Sequence, residues 1–464
     1  MSAVITDKPT PATNAPRKVL GFSALFAASI GVIVAQLGMV SLMQGVGLGG
    51  WGFFAALAIA FALALANAMA YAEMALMMPS AGSLSSYAEA AIGNFPAILL
   101  VFAGYVTPAI FGLPVEMILV DGVLQQILPG VLPSFTWAVA LLAVLVVLNI
   151  LGTDIFARVQ TTLSFVMLVF LALTGLMALG GQGAAPIAGG HAAGFAALGH
   201  DTVVLGLVAL AFWVFVGSEF VTPLVVEARE PARDLPRAMI LGLVVVAVAQ
   251  VLFALGAAFF VPRDKLAGSA TPHLDYVVAV FGPSAKVWFG VFAVTATASL
   301  LNTVLAAVPR MLQGMADNGQ VFPLLGRTGK RGTPVLAILF VAALPLIGLA
   351  WSGGDANAIV PLTIAASVAW LLAYMTAQVS LMVLRRRHPD LPRPFKVPGY
   401  PVTPLLAIAG MGYVVANSSP APEMTGQIVA YTGIVLALFA VVGAAWVKLV
   451  MKKGLFEPGT PAGR

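Results

Sequence analysis

Charged residues are scarce in this sequence. Only 9% of its 464 residues are Asp, Glu, Lys or Arg, whereas 60% are hydrophobic. A soluble globule of this length needs far more polar surface to cover its core. The composition therefore excludes a soluble globular protein and predicts an all-α, polytopic membrane protein.

Cysteine is absent, which excludes disulfides, thiol chemistry and thiolate-bound metals. The four histidines, His191, His200, His273 and His388, all fall in predicted loops, so we expect no buried histidine-ligated metal. The sequence also lacks a metalloprotease His-Glu-x-x-His motif, a nucleophile elbow and a P-loop. We therefore expect neither an enzyme nor a cofactor.

Long apolar runs make up most of the chain. A spanning helix needs roughly 20 mainly apolar residues, and about twelve such windows can be placed. They lie near 19–45, 51–77, 97–120, 135–151, 159–180, 202–226, 238–261, 284–310, 334–351, 359–384, 402–418 and 427–449. The polar connectors are too short for a soluble domain, so we expect one membrane domain over 18–454, with disordered cytoplasmic tails at 1–17 and 455–464.

The positive charges are distributed unevenly across the predicted membrane. If the N-terminus is cytoplasmic, all of the 23 Lys and Arg fall on the cytoplasmic side except Arg263, Lys265 and Lys286. Cytoplasmic loops of membrane proteins carry such an excess. The pattern predicts a multi-pass protein of the cytoplasmic membrane with both termini inside, and the basic balance requires no nucleic-acid partner.

Two predicted helices contain helix-weakening residues in mid-span. The first contains Gly31 and Gly38, and the sixth contains Gly217, Ser218 and Pro223. Inverted-repeat transporters place one broken helix at the start of each half, with the substrate between the two breaks. The halves would be helices one to five (about 19–180) and six to ten (about 202–384), with helices eleven and twelve (about 402–449) accessory. Alternatively, these glycines only permit close helix packing.

Two carboxylates within the predicted spans are candidates for function, because a membrane-embedded charge is costly. Glu219 follows the Gly217–Ser218 break and could accept a proton, bind a cation or lock the broken helix to a neighbour. Glu116, in the third helix, is a second gating or proton candidate, expected near the external interface.

The ends of broken helices have complementary polarity. A half-helix N-terminus suits a substrate carboxylate and a C-terminus suits an ammonium group, so a zwitterionic amino acid matches both. Trp213 and Phe215 lie on the outer side of the sixth-helix break, where an aromatic ring could close over a substrate or face a cationic amine. Ordinary packing is the alternative for both rings.

Separated motifs resemble the amino acid–polyamine–organocation superfamily in its amino acid permease branch. They are AYAEM at 70–74 with PSAGS at 79–83, FVGSE at 215–219 with the charged segment 229–237, SLLN at 299–302, MADNG at 315–319, and LRRRHPD at 384–390 with RPFKVP at 393–398. The resemblance implies a leucine-transporter-type 5+5 inverted repeat and alternating access. It also implies secondary active transport of an amino acid, as uptake or exchange, with Trp213 as the gating aromatic.

The same resemblance implies that the two broken helices hold the substrate. The substrate-binding candidates are Ala35, Gln36, Leu37, Gly38, Trp213, Phe215, Gly217, Ser218 and Asn302. The segment 35–38 departs from the Gly-Ser-Gly-like break that contacts a substrate carboxylate in the family. A polyamine or other small organic amine without a carboxylate is therefore the alternative substrate.

The coupling ion stays open at this stage. Some proton-coupled members carry a lysine in helix five in place of sodium, whereas the corresponding position here is predicted to be Met167. Sodium could bind at Ser299 together with carbonyls of helix one. A coupling proton, or exchange without any ion, is also compatible with the sequence.

Overall fold

The computed structural model describes residues 18–183, 198–199, 204–353, 359–418 and 422–461. The helices are, in chain order, α1 (Phe22–Ile30), α2 (Gln36–Gly49), α3 (Trp51–Met77), α4 (Leu84–Ile92), α5 (Asn94–Val101), α6 (Thr107–Ile127), α7 (Thr136–Ile150), α8 (Thr153–Leu179), α9 (Val208–Trp213), α10 (Pro231–Ala257), α11 (Arg263–Gly268), α12 (Pro272–Phe281), α13 (Ala285–Asp317), α14 (Val335–Ser352), α15 (Ile359–Arg387), α16 (Val402–Ala416) and α17 (Pro422–Ala445). A π-helical turn (Phe102–Val106) joins α5 to α6, and another (Trp446–Val450) extends α17. Shorter 3₁₀ helices are Leu205–Leu207, Ser218–Glu227 and Pro323–Gly326.

The predicted membrane crossings are confirmed. In the part of the chain that the structure describes, nine helical stretches are long and apolar enough to span a bilayer, and the shorter apolar helices α7 and α16 add two. The first crossing is divided between α1 and α2, which have 9 and 14 residues and are each too short to span alone. The chain is therefore a multi-pass membrane protein.

The order of elements repeats after five crossings. Each half begins with a broken crossing, α1 with α2 in the first half and α9 with the 3₁₀ helix Ser218–Glu227 in the second. Each half also has short helices after its second crossing, α4 in the first half and α11 with α12 in the second. The two halves therefore have the same sequence of elements, which agrees with the expected 5+5 arrangement.

The last crossings lie at the periphery. In the most apolar stretch of the crossing Met424–Val450 only 17% of residues are buried, against 83% in those of Asn94–Ile127 and Ala285–Asp317. The broken crossings are at the centre, where α1 packs on α8 and α10, and α9 packs on α3. The helices α6 and α13 pack on one another beside them.

Two carboxylates, the buried Glu73 and the partly buried Glu227, join separate elements through ion pairs. Glu73 at the end of α3 forms an ion pair with Arg385 of α15 and accepts a hydrogen bond from the Val397 amide at 2.6 Å. Glu227, at the end of the 3₁₀ helix, pairs with Arg310 of α13 at 2.6 Å. The motif residues therefore hold the broken crossing's exit and the segment before α16 against the helix bundle.

The histidine expectation is wrong at one position. His273 lies inside α12 and is fully buried, with its ring 5.0 Å from that of Phe289. Burial lowers the pKa of His273 to about 3, because the charged imidazolium cannot be solvated there. His388 directly follows α15, whereas His191 and His200 lie outside the described residues.

The described part of the predicted C-terminal tail, residues 455–461, packs against the helices. The Phe95 amide donates a hydrogen bond to the Leu455 carbonyl, and the Gly459 amide donates to the Glu89 carbonyl, both at 3.0 Å. The Phe456 ring meets Phe95 edge-on at 5.8 Å. Residues 455–461 therefore cover α4 and α5, while the predicted tail at 1–17 lies outside the described residues.

Candidate functional site

The first helix break occupies residues 31–35, just before the predicted segment 35–38. Its residues include the β-branched run Val32, Ile33 and Val34, a residue type that loses side-chain freedom in a helix. Ala35 is extended, with φ −115° and ψ 157°. Gly31 keeps a helical φ of −64°, so a glycine conformation does not produce this break. Gln36, Leu37 and Gly38 form the first turn of α2.

Side chains of other helices satisfy the backbone at the end of α1. The Ala27 carbonyl accepts hydrogen bonds from Gln160 Nε2 at 3.3 Å and Ser164 Oγ at 3.2 Å, both from α8. The Gly31 carbonyl accepts one from Ser299 Oγ of α13 at 3.1 Å. Helix ends leave such carbonyls without intrahelical partners, and α8 and α13 supply them here.

A carboxylate of α6 satisfies the backbone at the start of α2. Glu116 Oε1 accepts a hydrogen bond from the Leu37 amide at 2.6 Å, and its Oε2 accepts one from Thr297 Oγ1 at 2.9 Å. Gln36 Nε2 in turn donates to Thr297 Oγ1 at 2.9 Å. All four residues are buried. Glu116 therefore lies at the first break, whereas the sequence had suggested a position near the external interface.

The second break depends on one glycine. The helix α9 ends at Trp213, and Gly217, at φ +120° and ψ 0°, precedes the 3₁₀ helix Ser218–Glu227. Side chains rarely tolerate this φ, whereas glycine adopts it readily. A Cβ on Gly217 would also lie 2.5 Å from Cβ of Val32. The two breaks therefore touch, and only a residue without a side chain permits that approach.

A small cavity of about 30 Å³ lies beside the two breaks. Val32 and Leu37 line it from the first break and Val216 from the second, while four aromatic residues, Tyr105, Trp213, Phe220 and Trp370, form much of its wall. The Trp213 and Trp370 rings are nearly perpendicular, with centroids 5.8 Å apart. Among the described residues that line this cavity, Glu116 is the single carboxylate, and none is Lys, Arg or His.

Glu219 does not line the cavity but contacts Trp370, which does. Its Oε1 accepts a hydrogen bond from the indole Nε1 of Trp370 at 3.1 Å. The residue is completely buried, and its Oε2 has no hydrogen-bond partner among the described residues. Glu219 therefore connects the 3₁₀ helix of the second break to an aromatic ring of the cavity.

Other predicted site residues lie outside the cavity lining. Phe215 packs edge-on against Phe61 of α3, with centroids 5.6 Å apart. Ser218 is buried at the start of the 3₁₀ helix, and Ala35 and Gly38 are buried beside the first break. Asn302 belongs to a polar cluster on the other side of α1, where its Nδ2 donates to Gln160 Oε1 at 2.9 Å.

An amide group occupies the place considered for sodium. Gln160 Nε2 donates hydrogen bonds to Ser299 Oγ at 2.6 Å and to Ser164 Oγ at 3.3 Å, as well as to the Ala27 carbonyl. The Ser299 hydroxyl is thus engaged on both sides, with Gln160 and with the Gly31 carbonyl. Gln160 lies two helical turns before Met167. Met167 is the residue predicted from the sequence to correspond to the helix-five lysine of some proton-coupled family members.

Three residues of the site were missed in the sequence: Gln160, Thr297 and Trp370. Each lies in an apolar crossing outside the two broken helices and carries no charge, so none stands out by the cost of burying an ionisable group. A polar amide in a membrane helix is itself unusual, so Gln160 offered a usable signal. Thr297 and Trp370 did not stand out from the many small polar and aromatic residues of the chain.

Comparison with known proteins gives a consistent result. The sequence profile of amino acid permeases matches residues 20–442. The amino-acid permease RocE of Bacillus subtilis (strain 168) is 25% identical over 384 residues, which cover 78% of this chain and 80% of RocE. The branched-chain amino acid permease BcaP of the same organism is 28% identical over 222 residues, 46% of this chain and 45% of BcaP.

The fold is similar to that of a solved transporter. Mhp1, a nucleobase-cation-symport-1 family transporter solved in a closed conformation with bromovinylhydantoin bound, aligns with a TM-score of 0.54. The alignment covers 98% of each chain at 19% sequence identity. At that identity the likeness establishes the shared fold.

Proposed function

The chain belongs to the amino acid permease family and is a secondary transporter, and from that premise we propose that the cavity beside its two helix breaks binds the transported amino acid. The observation that carries this proposal is the meeting of the breaks, where Val32 packs against Gly217 and residues from both line one cavity. Transporters with broken helices bind substrate at such a meeting point. Both uptake and exchange begin with binding there.

We further propose that the structure corresponds to a closed step of alternating access. A volume of about 30 Å³ admits roughly two water-sized spheres, so an amino acid enters only when the wall moves. Trp213 is the gate in this proposal, because it is the last residue of α9 and stands at the second break. Glu219 is assigned the role of a lock, because its hydrogen bond holds Trp370 against Trp213.

Coupling to sodium at Ser299 is not supported by this geometry. The Gln160 amide donates to Ser299 and to the Ala27 carbonyl, so a donor stands where a cation would need acceptors. We propose that transport is independent of sodium. Uptake into proteoliposomes should be the same with an inward gradient of sodium chloride or of choline chloride, and stimulation by sodium above twofold would contradict the assignment.

The membrane orientation is also a proposal. Arg263 and Lys265 lie in α11, at the opposite end of α10 from Arg233 and Arg237. The biased distribution of Lys and Arg supports a cytoplasmic membrane protein with both termini inside. One membrane domain over residues 18–454 accounts for all of the crossings.

Counterflow in proteoliposomes tests the proposed binding site. Wild-type protein loaded with a mixture of unlabelled amino acids should accumulate a labelled amino acid in a saturable way. Trp213→Ala should lower that rate at least tenfold, because the gate and a cavity wall are removed together. Trp288→Ala is the matched control, since Trp288 is 54% exposed on α13 and lies away from the cavity. Equal rates for Trp213→Ala and the wild type would exclude this cavity as the transport site.

A further inference from the structure

The N-terminus of α2 already holds a carboxyl group from the chain itself. The first amides of a helix have no partner within it, and they form the positive end of the helix dipole. Such an end suits the carboxylate of an amino acid substrate. In this protein the Leu37 amide donates instead to Glu116 Oε1 at 2.6 Å. The side chain of Glu116 thus stands where a substrate carboxylate is expected.

Glu116 is held firmly in that position. The Thr297 hydroxyl donates a hydrogen bond to Glu116 Oε2 at 2.9 Å. The side-chain amide of Gln36 donates to the same hydroxyl, also at 2.9 Å. The three side chains come from α6, α13 and α2 and are fully buried. A substrate carboxylate could reach the Leu37 amide only by displacing a carboxylate that has hydrogen bonds to both oxygens.

The remaining wall of the cavity has nothing to offer a second anion. No Lys, Arg or His is present among the described residues that line it, and Glu116 is its single carboxylate. Two carboxylates brought together without a cation repel each other in a poorly solvated site. An ammonium group, in contrast, would pair with Glu116 and could lie against the faces of Trp213, Trp370, Phe220 or Tyr105.

We propose that this carrier recognises its substrate through the ammonium group, by Glu116 and the aromatic wall, so that amines without an α-carboxylate bind at least as tightly as the corresponding amino acids. The proposal rests on the proposed function, because it takes the cavity as the substrate site. It extends the substrate class from amino acids to small primary amines, with the apolar lining of Val32, Leu37 and Val216 favouring an uncharged remainder.

Matched pairs of ligands test the proposal on the purified full-length protein. Isothermal calorimetry and thermal stabilisation would compare alanine with ethylamine, valine with isobutylamine and leucine with isoamylamine. Isovalerate, which has a carboxylate and no ammonium group, serves as the third kind of probe. Each amine should bind as tightly as its amino acid or more tightly, and isovalerate should not bind. A tenfold preference for the amino acids, or binding of isovalerate, would overturn the proposal.

Variants of Glu116 identify the residue responsible. Glu116→Gln keeps the shape of the side chain and an acceptor for the Leu37 amide, but removes the negative charge, so amine affinity should fall at least tenfold. Asp121→Asn is the matched control, because Asp121 is a buried carboxylate on the same helix that does not line the cavity. Its amine affinity should match that of the wild type, and an unchanged affinity in Glu116→Gln would overturn the proposal.

A second variant predicts a reversal of preference. Glu116→Ala frees the Leu37 amide for a ligand carboxylate, so the ratio of amino acid to amine affinity should rise at least tenfold over that of the wild type. An unchanged ratio would count against the proposal, and Glu116→Gln remains decisive if Glu116→Ala does not fold. Trp213→Ala separates the two hypotheses. If ligands bind equally well without Trp213, the cavity is wrong as the transport site, whereas amino acid preference with normal Trp213 dependence overturns only the ammonium recognition.

Discussion

The two helix breaks that meet at the cavity are constructed in different ways. At the first, no residue has a positive φ, and side chains from three other helices satisfy the exposed backbone: Glu116, Gln160 and Ser299. At the second, Gly217 alone supplies the unusual backbone, at φ +120°. The first break therefore depends entirely on contacts between helices, which can change when helices move. The second also has such contacts, since the Gly217 amide donates to the Tyr374 hydroxyl and Gln250 Nε2 donates to the Val214 carbonyl, but its glycine conformation is a local property of the chain.

The difference suggests a division of work during transport. A break held by polar contacts between helices can exchange its partners as those helices rock, because each partner belongs to a different element. A break set by one glycine keeps its shape and carries Trp213 and Glu219 with it on either side. We expect substitutions at the second break to act through backbone strain and those at the first through lost hydrogen bonds.

The largest effect is expected for Gly217→Ala. A residue forced into an unfavourable backbone region costs about 1–3 kcal/mol, and the added Cβ would also collide with Val32. Transport in proteoliposomes should fall at least tenfold. Adding Val32→Ala should not restore it, since the backbone strain persists and an alanine at position 32 keeps the Cβ that the new side chain meets. Gly433→Ala is the control, because a Cβ there meets no atom within 4 Å. Normal transport by Gly217→Ala would remove the contrast between the breaks.

Gln160→Leu should have the next largest effect, through the first break. It removes the amide that donates to Ala27, Ser164 and Ser299 and accepts from Asn302. A buried polar group left without a partner costs about 1–3 kcal/mol, so the thermal midpoint of the detergent-purified protein should drop clearly.

The exposed amide of Gln126, on α6, supplies the reference for that substitution. Gln126→Leu should change the free energy of unfolding by no more than about 0.5 kcal/mol. If Gln160→Leu is equally harmless, side-chain contacts from α8 do not hold the first break, and the two breaks do not differ in the way proposed.

Glu219 tests whether the second break is linked to the cavity by shape or by charge. Glu219→Gln retains an oxygen that can accept from Trp370 Nε1, whereas Glu219→Ala removes it. A net hydrogen bond is worth about 1 kcal/mol, so KM should rise about fivefold for Glu219→Ala and stay within about twofold for Glu219→Gln. Equal impairment of both variants would show that the carboxylate charge is required, and the proposed lock would be replaced by a proton or cation role.

The last effect concerns acid stability away from both breaks, and it appears only below pH 6.5. The pKa of His273 is lowered by burial to about 3 from its ordinary 6.5, so the unfolded chain binds a proton there below pH 6.5 and the folded chain does not. Stability from this residue is complete above pH 6.5 and is lost as the pH falls towards 3. At pH 5.5 the loss should be about 1.4 kcal/mol.

His273→Phe should abolish that part of the acid sensitivity, because a phenyl ring can pack against Phe289 without titrating. Thermal midpoints of the wild type and the variant, measured between pH 7.5 and pH 5.5, check the prediction. If the thermal midpoints of both proteins fall equally, His273 is not the source of the acid sensitivity, and the carboxylates at the breaks become the candidates.

Sequence reasoning predicted the crossings and the general position of both breaks. It also identified Gly217, Trp213 and Glu219, since a glycine and a carboxylate inside an apolar run are visible without any partner. It misjudged Glu116, which was expected near the external interface because Pro108, Pro114 and Asp121 flank it, whereas α6 continues through Pro114 to Ile127 and Glu116 contacts the start of α2. The break in the first helix was expected at 35–38 from the resemblance, but the structure has it at 31–35, where the β-branched residues Val32, Ile33 and Val34 follow Gly31.

The sequence alone determined the properties that depend on neighbours along the chain: about twelve apolar windows, the charge bias of the loops and a glycine-dependent break. Only the tertiary structure decided which side chains complete the site. The Leu37 amide meets Glu116 across 79 positions, Gln160 meets Ser299 across 139, and Glu219 meets Trp370 across 151. Each contact forms because packing brings separate helices together and a buried polar group must find a partner there, which no local spacing records.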